Sequence, residues 1–141
     1  MNLLSLVAPL VFAAGVTASA PAPAPAGEPL VCRLDALSPA ERERHQRLTE
    51  ALRGAVTETS ELPAGYALTL DLSRLPADAK GLPFCVVEVA EWVDLESRCC
   101  PFLDFEICLR DKGRRVVLRL TGGENVKTFL REEIMSNSGR R

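Results

Sequence analysis

The sequence is poor in the features that announce most functions. Aromatic residues make up 5% and there is one histidine, so the core must be built mainly from Leu, Val, Ala and Phe. No charged side chain precedes Glu28. The remaining chain is slightly acidic, with a formal charge of -2 and a pI near 5.5, which argues against a nucleic-acid binder with its basic stripe. The densest basic run, Arg110, Lys112, Arg114 and Arg115, straddles an expected hairpin turn and reads as a solvated loop. There is no Gly-rich loop with a lysine to cradle phosphate. The cysteines match neither the paired spacing of a zinc finger nor a Cys-x-x-Cys redox motif. No internal repeat is visible.

Leu3 to Ala20 is an uncharged run of apolar and small residues. It is marginal for spanning a bilayer, which takes about 20 apolar residues, and Pro9 and Gly15 interrupt it. A secretory signal peptide over residues 1–26 fits better, with Ala24-Pro25-Ala26 or Val16-Thr17-Ala18 as small-residue cleavage sites. The missing basic residue ahead of the run is atypical for such a signal. The expected location is the periplasm or the exterior, and membrane association is expected only for an uncleaved segment. Residues 21–29 read as an extended, polyproline-like spacer with no face to bury, and 27–37 as a Pro/Ala-rich linker and lead-in to the domain.

The 141 residues suggest one folded unit, expected over 38–135, with a fraying tail at 136–141. Ser38-Pro39-Ala40-Glu41 is a capping box with proline at the first helical position. His45, Leu48, Leu52, Ala55 and Val56 then recur at helical spacing, and this helix is expected to end near Glu58. Glu61 to Gly65 is a turn. Tyr66, Leu68, Leu70 and Leu72 alternate as a half-buried strand. A second helix is expected from about Pro83 to Cys99, stopped by Pro101. Leu103 to Leu109 and Val116 to Leu120 form strands around Asp111-Lys112-Gly113. Val126, Phe129, Leu130 and Ile134 mark a last helix. The expected fold is α+β in the order α-β-α-β-β-α, a small antiparallel three-stranded sheet with helices on one face.

The five cysteines are Cys32, Cys85, Cys99, Cys100 and Cys108. Cys85 and Cys108 read as small packing side chains. The neighbouring pair Cys99-Cys100 differs, because it sits where a helix is forced to end. Glu96 lies three and four residues earlier and shares its face. Packing can bring Cys32, just ahead of the first helix, alongside. Cys32, Cys99, Cys100 and Glu96 therefore form a candidate soft-metal site, with His45 as a nearby candidate. Thiolates select soft ions such as Cu(I) or Zn(II), and by the same softness mercury or trivalent arsenic. The expected partner is a metal or metalloid ion, with no catalytic residue assigned. Two other readings stay open: disulfide staples, including a clip from Cys32 to the Cys99-Cys100 corner, and a thiol enzyme using Cys99, Cys100 and Glu96.

Four blocks carry a resemblance: Ser38 to His45, Glu61 to Tyr66, Glu96 to Phe102 and Leu120 to Lys127. They are similar to a group of small uncharacterised bacterial proteins with a Glu-x-x-Cys-Cys-x-Phe corner. The corner loosely resembles cysteine domains associated with mercury-responsive regulators. The resemblance implies handling of thiophilic metals and carries over no activity. Members of the group typically lack an export segment, so the N-terminus here departs from their pattern.

Overall fold

A computed structural model describes residues 30–77 and 81–138. The signal-peptide reading of 1–26 and the linker up to residue 29 lie outside the described residues, as do 139–141. The elements run α1 (Pro39–Ala55), β1 (Val56–Leu62), β2 (Gly65–Asp71), α2 (Val86–Cys99), β3 (Leu103–Arg110), β4 (Arg115–Gly122) and α3 (Val126–Ser138). The strands form one antiparallel sheet in the order β1-β2-β4-β3.

This corrects the expected three-stranded sheet and its α-β-α-β-β-α order. The sheet has four strands, because β1 occupies residues assigned above to the end of a helix and a turn. The helical stripe of α1 stops at Ala55, and Val56 turns to extended backbone (φ −62°, ψ 121°). Residues 57–61 read Thr-Glu-Thr-Ser-Glu and offer no apolar alternation to detect. They form a strand because β2 supplies a partner ladder across a two-residue loop, with Leu62 paired to Gly65. A bulge between Val56 and Glu58 absorbs the change from helix to strand. The strand lies at an edge of the sheet, where charged residues blunt further pairing.

Register explains which face is buried. Leu68 pairs with Leu118 and Leu118 with Ile107; Tyr66 pairs with Leu120 and Leu120 with Phe105. These rows share one face and pack into the core with Leu48 and Leu52 of α1, Val89, Trp92 and Leu95 of α2, and Val126 and Leu130 of α3. The opposite face carries Glu106 directly across from Arg119, joined at 3.0 Å. Cys108 lies on that polar face, paired with Val117.

The capping box of α1 forms as expected. Glu41 N–H donates to Ser38 Oγ, and Ser38 N–H donates to Glu41 Oε2 at 2.8 Å. Glu41 also accepts from Arg98 of α2 at 2.9 Å, next to the bidentate Arg44–Glu91 pair. α1 and α2 are thus stitched by polar contacts along their length. The Ser38 backbone bond, chiefly, and Arg98 hold the Glu41 carboxyl at about 2, below the ordinary 4.5. A depressed folded-state value contributes stability above pH 4.5 that is lost as pH falls toward 2. Glu41→Gln should therefore be less stable than the parent at pH 7, and the gap should close on approaching pH 2. Urea midpoints across that range check this; a gap that persists unchanged at pH 2 would contradict it.

Candidate metal centre

The site forms where α2 ends. Cys100 follows the last helical residue in a non-helical conformation (φ −121°, ψ 69°). Its N–H still donates to Glu96 O at 2.7 Å, and its carbonyl accepts from Leu103 N–H at 3.0 Å. Pro101 prevents the helix from continuing. Neighbouring residues in a helix point about 100° apart; this break brings the two cysteines back toward each other. Their sulfurs lie 3.8 Å apart, and both residues are buried.

The lead-in reaches the same corner. Arg33 N–H donates to Cys99 O at 2.6 Å, and Cys32 forms a disulfide with Cys100 across a Cα–Cα distance of 4.7 Å. The clip considered from sequence is therefore present, with Cys100 as the partner. Cys85, Cys99 and Cys108 are free thiols, and Cys85 is exposed as the N-cap of α2.

α1 supplies the imidazole. His45 Nε2 meets Glu96 Oε2 in a close contact, and each side chain is 15% exposed. Trp92 fixes the ring from the side, stacked at a centroid distance of 6.2 Å. Trp92 is itself held by donating Nε1–H to Thr49 Oγ1 at 2.9 Å, and Thr49 donates to His45 O. The same Glu96 oxygen lies 3.9 Å from Cys99 Sγ. Glu96 thus links His45 to the free thiol. Helical spacing shows that Glu96 shares a face with the cysteines; its bond to His45 depends on how α1 packs on α2, which spacing does not reveal.

Two trios result, Cys32-Glu96-Cys100 and His45-Glu96-Cys99. In each, one donor atom per residue lies within 4.8 Å of the others. These cysteine and glutamate groups are near enough to hold a metal ion. All four residues proposed from the sequence come together, and His45 joins them. Two of the sulfurs are bonded to each other, so the closed form offers one thiol and the reduced form three. Imidazole, carboxylate and thiolate are a donor set for soft or borderline cations.

Burial, chiefly, and the nearby Glu96 charge push the Cys99 thiol up to about 11. An activated nucleophile needs the opposite, so a thiol-enzyme reading finds no support in this thiol. A metal ion offsets the shift by replacing the proton directly.

Beside this corner a cleft of about 1110 Å³ opens between α1 and α3, floored by the sheet. Its lining includes Leu68, Leu118, Leu120, Phe129 and Leu130, together with His45, Glu96 and Cys99. Nothing in the strand or helix periodicities foretold it. Among the described residues no helix is long and apolar enough to cross a membrane. No protein-family model matches the chain, and no curated protein and no solved structure matches it either.

Proposed function

We propose that the protein binds a soft metal or metalloid ion through Cys32, Cys99 and Cys100, with Glu96 and His45 completing the site. The observation that carries this is the meeting of three sulfurs, a carboxylate and an imidazole from three separate segments at one buried corner. An exported chain meets an oxidising compartment, which favours the closed disulfide. Uptake of an ion by all three sulfurs then requires a thiol reductant. The reductant donates two electrons to the Cys32–Cys100 bond and is itself oxidised to a disulfide. The role that follows is buffering, sensing or resistance toward a thiophilic ion.

Trp92 is the sole tryptophan and stacks on His45, so its fluorescence reports on the site. Titration of the reduced chain, carrying Cys85→Ser and Cys108→Ser, with Hg(II) should quench it with one equivalent bound. The non-reduced chain should bind more weakly, and Cys99→Ser/Cys100→Ser should lose the tight equivalent. Equal binding by that double variant would sink the proposal.

A second reading is favoured by the disulfide itself. The bond staples the lead-in to α2, and the domain would then be a structural or interaction module. Retention of the staple without any tight Hg(II), Cu(I) or Zn(II) binding after reduction would select it.

A further inference from the structure

The cleft is far larger than a bare ion needs. Ligand pockets for organic molecules typically span about 300–1,000 Å³ with mainly apolar walls; this cleft is slightly larger, and its lining is mostly apolar with Glu50, Arg53, Arg74 and Glu133 among the charged residues. Its floor comes from Leu118 and Leu120 of β4 and Leu68 of β2, and its α3 wall includes Phe129 and Leu130. Its α2 wall is Trp92, Glu96 and Cys99. Leu68 and Phe129 present partly exposed apolar surface to this space, and the buried Cys99 is among its lining residues. With the disulfide closed, Cys99 is the free sulfur at this corner. A single thiolate satisfies a cation that already carries one organic group, whereas a bare soft dication seeks at least two.

We propose that the cleft binds organometal cations, R–M⁺, of the organomercury type, with the soft centre on Cys99 and the apolar group R against Leu68, Leu118, Leu120 and Phe129. This rests on the soft-metal reading and names the ligand class the closed form takes. The step is an exchange without change of oxidation state. The Cys99 S–H and M–X bonds break and an S–M bond forms. X⁻ leaves, and the proton passes by way of Glu96 Oε2 to water. The group R stays on the metal.

The test uses the full chain with Cys85→Ser and Cys108→Ser, not reduced, so that Cys99 is the free thiol. Phenylmercury and methylmercury are each titrated in competition with iodide, a soft ligand that leaves the Cys32–Cys100 bond closed, and each affinity is referred to that of the same organomercurial for iodide. Burial of the ring should favour phenylmercury by about tenfold or more. Leu68→Trp, which fills the cleft, should erase the preference. Should that variant lose its far-UV circular dichroism, Phe129→Ala serves instead and should lower the preference severalfold. A phenyl-to-methyl ratio near one in the parent, or a ratio unchanged in the folded variant, overturns the cleft assignment. Hg(II) binding to the reduced protein separates the two ideas. If it remains dependent on Cys99 and Cys100 while the phenyl preference is absent, only the cleft inference falls. If it too is absent, the soft-metal reading falls with it.

Discussion

Cys32→Ser should destabilise the non-reduced protein by about 2–4 kcal/mol, because the bond it removes closes a long loop. Cys32 and Cys100 are 68 residues apart in sequence, so the disulfide constrains most of the unfolded domain. Position 32 is the better one to change. It is partly buried, whereas Cys100 is fully buried; a lone Cys100 thiol packs as a small hydrophobe, while a serine there would bury a hydroxyl. Urea unfolding gives the measurement in two arms. Adding reductant should bring the parent down to the variant, and the variant should not respond. Thiol counting on denatured, non-reduced protein checks the premise. The parent has free Cys85, Cys99 and Cys108, so it should titrate three thiols, rising to five after reduction. A parent that titrates five without reductant, or one whose midpoint ignores reductant, would refute the expectation. The consequence reaches the cleft, since Leu30, Val31 and Leu34 of the lead-in help to line it. Breaking the bond leaves the Arg33-to-Cys99 backbone bond and the buried Leu37 to hold that segment. The redox state therefore governs both the number of sulfurs on offer and the wall of the neighbouring cleft.

How much of this was legible in the sequence follows from where the physics is local. The Ser38–Glu41 capping box forms as its residues specify, because both bonds lie within one helical turn. β2, β3 and β4 announce themselves by alternation, because each buries one face. β1 does not, because residues 57–61 bury almost nothing and owe their conformation to pairing with β2. The corner at Cys99-Cys100 was visible because Pro101 forces the helix to end there. Helical spacing placed Glu96 beside it, whereas the convergence of Cys32 was inferable only as a possibility of packing. The Cys32–Cys100 pairing and the bond between His45 and Glu96 depend on how the lead-in and α1 sit on α2. The cleft is more remote still. It is the space left between α1 and α3, and no single element's periodicity encodes a gap between two others.

Two glycines separate what the backbone demands from what it merely tolerates, and they should respond to alanine with opposite signs. Gly65 opens β2, pairs with Leu62 on one side and Thr121 on the other, and is buried. A Cβ there would drive into the carbonyl oxygen of Leu120 and come within 2.9 Å of Thr121 Cα. Both are backbone atoms of the central strand, so no side-chain rotation relieves the overlap. Nor can the loop retreat freely, because Ala64 O accepts from Gly122 N–H at 3.2 Å. Gly65→Ala should cost about 3 kcal/mol, at the upper end for overpacking, through displacement of β2 from β4. That displacement carries Tyr66, Leu68 and Leu70 with it, two of which line the cleft. Gly54 lies in the last turn of α1, and a Cβ there meets nothing within 4 Å. Gly54→Ala should stabilise by about 0.5–1 kcal/mol, by restricting the unfolded chain and improving helix propensity. Urea midpoints of the two variants, each compared with the parent under non-reducing conditions, measure both effects. Equal and small shifts would mean that the close approach of β2 to Leu120 is not a constraint on the fold. A large loss at Gly65 with a gain at Gly54 would locate a rigid constraint of the fold in the close approach of β2 to β4.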